Sequence, residues 1–266
     1  MNCEWNIAVN PKQYSREVGH SSTLTKKLAS GIILPMQFSI STLPKTIIDA
    51  TLELIYPRFC LICRRGLEQY DKFSLCEACR KGIKRNVPPL SEGCGDNERY
   101  FDSVKSVTAY EGVMRECIHK FKYNGSLALE GLFADLLTDF AEKHIDVKRF
   151  DCIIPVPLSR VKLRERTFNQ AEILASSLSR KFGLPCINNN LIRAKSGKSQ
   201  ITLSKSERLK DIKGAFKVKN SALLKDKSVL LVDDVFTTGA TVRECSKMLK
   251  ESGVKYIEVL TLARGI

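Results

Sequence analysis

A chain of 266 residues with 43% hydrophobic side chains can bury one sizeable core and leaves room for one or two domains. No stretch approaches the roughly 20 apolar residues that span a bilayer, and the longest early apolar run, Gly31 to Met36, is too short for a signal-peptide core, so the expected setting is the cytoplasm with no membrane span. A formal net charge of +14 favours phosphorylated small molecules or nucleic acid over cationic partners, and ten cysteines without an export signal suggest metal binding or free thiols rather than a disulfide framework.

Residues 1–42 show no helical or strand period and read as a disordered extension. Met36 stands just ahead of the first convincing helix, and the native start is expected there. From Pro44 to Ile55, the apolar residues Ile47, Ile48, Leu52 and Ile55 share one helical face, Pro44 suits the first turn, and Pro57 blocks continuation. Next comes Cys60-x2-Cys63-x12-Cys76-x2-Cys79. Each Cys-x2-Cys turn presents two sulfurs to one tetrahedral ion, so residues 44–85 read as a helix plus a small four-cysteine module with Zn2+ as a structural ion; reduced or redox-active thiols are the alternative. The segment has few large apolar residues, so metal binding would supply folding energy. Residues 86–100, with Val87-Pro88-Pro89 near their start, read as a linker.

From residue 101 to 266 the periods alternate as in βαβ units, predicting a parallel sheet flanked by helices. Val104 to Tyr110 reads as a strand. Val113, Met114, Cys117, Ile118 and Phe121 mark a helix, and Leu129, Phe133, Leu136, Leu137 and Phe140 mark another. Cys152 to Pro157 is a short buried strand. Ala171, Leu174, Ala175, Leu178 and Phe182 give the next helix, ended by Gly183 and Pro185. A polar, basic stretch follows. Val229 to Val232 suits a central parallel strand, Val242, Cys245, Met248 and Leu249 a helix, and Tyr256 to Ala263 a closing strand. Between Arg160 and Lys227 there are 17 Lys and Arg against five Asp and Glu, a balance of +12 that holds most of the excess charge.

The segment from Val229 to Thr241 carries the most chemistry: an apolar strand, then Asp233-Asp234, then Val235-Phe236-Thr237-Thr238-Gly239-Ala240-Thr241. Ligands of open α/β sheets bind at the carboxyl ends of strands, where the two acids are expected. Backbone N–H groups of the loop, close approach at Gly239 and the positive end of the following helix suit a phosphate monoester, and Thr237, Thr238 and Thr241 add hydroxyl donors. Two carboxylates beside a phosphate nest repel a triphosphate but accept sugar hydroxyls, so a ribose 5-phosphate fits. The alternative is a strand whose acids only cap the next helix.

The segment resembles the phosphoribosyl pyrophosphate (PRPP) motif of type I phosphoribosyltransferases. Further along the chain, Ile153-Ile154-Pro155-Val156-Pro157-Leu158-Ser159-Arg160, Arg164-Glu165-Arg166-Thr167-Phe168-Asn169-Gln170-Ala171, Gln200, Leu203-Ser204, Glu207-Arg208, Gly214-Ala215-Phe216 and Leu262-Ala263-Arg264-Gly265 resemble the ComF family of competence-related phosphoribosyltransferase-like proteins. The resemblance covers roughly residues 54–265. It implies a type I phosphoribosyltransferase-like α/β fold behind a zinc ribbon, with PRPP as ligand and Mg2+ as its companion. Asp233 and Asp234 are the expected catalytic pair. Ser159, Arg160, Arg164 and Arg166, in a loop after Pro157, would meet pyrophosphate; Lys198, Gln200 and Arg208 would lie on a mobile segment that closes over it. The resemblance equally implies a non-catalytic protein that senses PRPP or holds single-stranded DNA with DNA-uptake machinery. The chain departs from the family at Thr167, where glycine is usual and a left-handed backbone would strain threonine. It departs again at Ser91, where a further Cys-x2-Cys pair would begin, leaving Cys94 without a partner in sequence. Acceptor and oligomeric state are not encoded in any motif.

Overall fold

The computed structural model describes residues 58–67, 71, 73–86, 100–123, 127–194 and 212–265. The expected extension over residues 1–42, the helix over 44–55, most of the linker, Cys94, and Lys198, Gln200 and Arg208 lie outside the described residues.

In chain order the regular elements are α1 (Glu77–Lys81), β1 (Ser103–Ala109), α2 (Gly112–Tyr123), α3 (Glu130–His144), β2 (Cys152–Pro155), α4 (Arg160–Arg166), α5 (Gln170–Phe182), β3 (Leu191–Arg193), β4 (Phe216–Val218), β5 (Ser228–Phe236), α6 (Ala240–Glu251) and β6 (Tyr256–Arg264). Strands β1, β6, β5 and β2 form a parallel sheet in that order, and β3 and β4 form a separate antiparallel pair. The long apolar run of β5 therefore sits in the interior, as its composition requires.

Alternation along β5 divides the core in two. Leu230 and Val232 pack with Met114, Ile118 and Phe121 of α2, Phe133 and Leu137 of α3, and Leu174 and Leu178 of α5. Val229 and Leu231 pack on the other face with Val242, Cys245 and Leu249 of α6 and with Phe216 of β4.

The cysteine module joins the first of these faces. Cys60, Leu75, Cys76, Cys79 and Ile83 belong to the same buried cluster as Val107 and Cys117. The main chain continues the contact: the N–H of Asn86 donates to the Val107 carbonyl at 2.9 Å and that of Ala109 to the Lys84 carbonyl at 3.0 Å. A Cβ on Gly131 would come within 2.9 Å of the Phe73 ring, so glycine there lets the module lie close against α3.

Three differences from expectation bear on the site. The segment after Pro157 is a helix, α4, rather than a loop: Ser159 caps it, its hydroxyl accepting from the Lys162 N–H at 3.3 Å. Val235 and Phe236 belong to β5, paired with Ala263 and Arg264, so the turn is confined to residues 237–239. The basic stretch after α5 begins and ends in the short strands β3 and β4.

Candidate phosphate site and zinc module

Asp233 and Asp234 lie inside β5 rather than beyond it, and are reached from outside because β2 is shorter. The last β2 pair is Pro155 with Val232, closed by the Val156 N–H on the Val232 carbonyl at 2.9 Å. Past that point no strand among the described residues flanks β5 on the β2 side. Strand alternation carries Asp233 to the α6 side, where after burial it is the leading influence raising the Cys245 thiol. It carries Asp234 to the α2 side, where the Lys122 ammonium lies 2.9 Å from Oδ1 and 2.8 Å from Oδ2. The carboxylate of Asp233 accepts the Asp234 N–H at 2.8 Å. Burial, then the charge of Asp234, raises the Asp233 carboxyl to about 7, against the opposing pull of that N–H, Lys122 and Lys162.

The turn beyond is shaped for an anion. Gly239 has φ +72°, and a Cβ there would lie 2.6 Å from the buried Phe236 ring, so the position requires glycine on both counts. Thr237 and Thr238 are exposed. Helix α6 begins at Ala240 with no acidic residue in its first turn; the Ala240 N–H makes a long contact of 3.4 Å to the Thr238 hydroxyl, and the amino-terminal dipole remains uncompensated by charge. Thr241 stands in that first turn. Phe236 itself is core: its ring is buried and lies beneath the Arg264 guanidinium at 5.4 Å.

Helix α4 sorts its cations by phase. Residues four apart share a side and residues two apart are about 200° apart, so Arg160 and Arg164 fall on one side, Lys162 and Arg166 on the other. Arg160 and Arg164 are exposed. Arg166 is buried, donating to Gln170 Oε1 at 3.0 Å and to the Tyr123 hydroxyl at 3.3 Å, while its Nε and the Gln170 amide nitrogen are buried without a hydrogen-bond partner. Crowding by protein, then Arg166, Arg193 and Lys122, lowers the Lys162 ammonium although its side chain keeps solvent contact; Asp234 acts in the opposite sense. Ser159 is buried and spends its hydroxyl on the helix cap. Thus Arg166 meets the expected side of the sheet, Arg160 lines a cavity with Pro155, Pro157 and Arg193 at the carboxyl end of β2, Arg164 is exposed outside it, and Lys122 and Lys162 are additions that the sequence reading missed.

Thr167 ends α4 with φ +66°, the left-handed conformation anticipated from its departure to threonine, and its hydroxyl donates to the Arg166 carbonyl at 2.6 Å.

In the cysteine module the four thiol sulfurs of Cys60, Cys63, Cys76 and Cys79 all lie within 4.8 Å of one another. A tetrahedral ion with sulfur at about 2.3 Å needs sulfurs about 3.8 Å apart, so the set fits zinc. The Cys60 turn is held by the Cys60 N–H on the Arg65 carbonyl at 2.8 Å, and Cys76 opens α1, which carries Cys79. Burial opposes a charged Cys60, but the N–H groups of Cys76, Cys63 and Ile62 and the Cys63 thiol outweigh it and bring the thiol down to about 6. Burial and then the neighbouring thiols drive Cys79 far up. Such a set cannot hold four thiolates without a cation among them. Cys117, on α2, packs against this cluster without joining it; burial, then Cys60, pushes its thiol up to about 12.

A parallel sheet, an acid pair at the edge of its central strand, a threonine-glycine turn into a helix and a packed four-thiol module define a phosphoribosyltransferase-type α/β protein with a zinc ribbon. Residues 168–266 match the phosphoribosyl transferase domain family and residues 51–118 the double zinc ribbon domain family. The chain belongs to the ComF family. It is 33% identical over 227 residues to competence protein F of Haemophilus influenzae, covering 77% of this chain and 96% of that one. It is 30% identical over 230 residues to competence protein ComFC of Bacillus subtilis, covering 75% and 91%. The DNA utilization protein YhgH of Escherichia coli is 26% identical over 210 residues, with 78% and 90% covered. Among solved structures, the glutamine PRPP amidotransferase of B. subtilis complexed with ADP and GMP aligns with a TM-score of 0.36 at 20% identity, over 50% of this chain and 26% of that one. No helix among the described residues is long and apolar enough to cross a membrane.

Proposed function

We propose that the chain binds PRPP at the edge of β5 and transfers its ribose 5-phosphate to an acceptor with release of pyrophosphate. The observation that carries the reading is the union of Asp233 and Asp234 with the amino terminus of α6, which has no acidic residue in its first turn, across a three-residue turn. The 5-phosphate takes the N–H groups and hydroxyls of the turn Thr237–Thr238–Gly239 and of Ala240 and Thr241 at the start of α6, while Val235 and Phe236 hold the strand end beneath it. The 2′ and 3′ hydroxyls donate to Asp233 and Asp234. Lys162 and Arg166 on the inner side of α4 balance the charge gathering on pyrophosphate as the bond between it and C1 breaks and the acceptor's electron pair forms the new one. Mg2+, bound with PRPP, would supply further neutralisation of the leaving group. Ser159, Arg160 and Arg164 border the same region. Lys198, Gln200 and Arg208 are assigned to a segment that closes over the bound ligand. Calorimetry with PRPP and Mg2+ tests the binding: saturable heat that Asp233→Asn abolishes supports it, and no heat at millimolar PRPP refutes it. Pyrophosphate release in the presence of acceptor bases or amines tests the transfer.

The balance of +12 between Arg160 and Lys227, together with relatives named for competence and DNA utilization, favours a second reading: a PRPP sensor or single-stranded-DNA-binding protein in DNA uptake that performs no transfer. Salt-dependent DNA binding that is lost on charge reversal at Arg160 and Arg164, with PRPP binding intact, distinguishes it.

A further inference from the structure

Lys122 reaches Asp234 from the far side of the sheet, and neither the sequence motif nor the family match assigns it. It stands in the last turn of α2 between two anchored neighbours. The Phe121 ring is buried edge-on against Phe133, with centroids 5.1 Å apart, and the Tyr123 hydroxyl accepts from Arg166 at 3.3 Å. The ammonium spans both oxygens of Asp234, and both side chains are largely buried, 17% and 13% exposed. Lys122 and Lys162 both act on Asp233, and Arg166, Arg193 and Lys122 act in turn on Lys162, so the two carboxylates face two cations with further positive charge behind them.

We propose that Lys122 is a positioning residue that acts as the resident counter-ion of the acid pair: it holds Asp234 aimed at the sugar diol and occupies the place that a free divalent cation would take. Paired carboxylates at a sheet edge ordinarily attract hard divalent ions. Here a fixed ammonium already bridges both Asp234 oxygens, and a second positive charge entering within a few ångströms meets direct repulsion. The metal then enters with a pyrophosphate that carries its own oxygen ligands, and the free protein keeps the diol site clear. This role rests on the PRPP reading for its purpose but not for its test.

The test uses Mn2+ alone, with the full zinc-loaded chain and no PRPP, followed by electron paramagnetic resonance of free Mn2+ and by broadening of the Asp233 and Asp234 amide signals. The wild type is expected to show no Mn2+ at the pair at submillimolar concentrations. Lys122→Gln and Lys122→Met gain one site, at least about tenfold tighter, because removing the ammonium uncovers its charge. Lys122→Arg stays silent, and Asp234→Asn in the Lys122→Gln background loses the gained site. The proposal is overturned if wild-type amides at the pair broaden as strongly as those of the variants, or if both neutral variants fold and gain no site. Wild-type broadening overturns it even where the variants fail to fold. Failure of PRPP to bind, with the Mn2+ results as expected, would refute the PRPP reading and leave the counter-ion role standing.

Discussion

Replacing Asp233 by asparagine should make the protein more stable, and increasingly so as pH rises. The carboxyl ordinarily titrates near 3.8 and is raised here to about 7 by burial and by Asp234. Between those two values the folded chain holds a proton that the unfolded chain has released, so folding stability contributed by this group is full below about pH 4, declines as pH rises through 7, and is level above it. One pKa unit corresponds to about 1.4 kcal/mol, which puts the ceiling near 4 kcal/mol; relaxation around a partly solvated group brings the expectation to about 1–3 kcal/mol. Asparagine cannot ionise, and its side-chain oxygen can still accept the Asp234 N–H that Asp233 accepts at 2.8 Å. The Asn variant should therefore match the wild type near pH 4 and exceed it by about 1–3 kcal/mol at pH 8. Urea unfolding at several pH values, with zinc constant and both Mg2+ and PRPP omitted, reads the difference, since every other titrating group is common to both chains. A gap that is constant with pH, or a wild type that gains on the variant as pH rises, would refute the reasoning and show a carboxylate stabilised as an ion by Lys122 and Lys162. The same substitution should remove PRPP binding, a trade of stability for function at one residue.

Thr167→Gly should stabilise the chain by about 1 kcal/mol, read as a shift of the urea midpoint, because a β-branched residue at φ +66° loses its strain even though the hydroxyl bond to Arg166 goes with it. Cys76→Ser should lower bound zinc below one equivalent per chain and lower the melting temperature by about 5 °C or more, because the module shares a buried cluster with α2 and α3 rather than hanging free.

Where the chain speaks through local pattern, the sequence was readable. The apolar run from Val229 to Val232, the faces of α2, α3, α5 and α6 and the left-handed position of Gly183 follow from period and capping alone. Strands β3 and β4 have three residues each, too few to establish a period of two. Helix α4 was hidden by its charge, since Val161 and Leu163 are its only apolar residues; the usable signal was Ser159 as a cap ahead of strong helix formers. Lys122 had no local signal. It follows the buried Phe121 by one residue and meets a partner 112 residues away, a pairing that exists only once β5 and α2 are packed.

The phase of α4 also divides the basic character of the chain, which composition can only count. Lys162 and Arg166 turn toward the acids at a scale suited to a small anion, and Arg166 is already committed to Gln170 and Tyr123, so it adds fixed charge rather than a mobile fork. Arg164 turns the other way, exposed, where a long polyanion could reach it without entering the sheet edge, and Arg160 lines the cavity between the two. A single helix thus presents an inner pair suited to pyrophosphate and, in Arg164, an outer cation suited to a phosphate backbone. The two proposed functions therefore draw on different side chains of one element and need not exclude each other. What couples them is rigidity: the same helix must stay formed for both, and its end is set by a strained Thr167 whose hydroxyl is bonded back to Arg166.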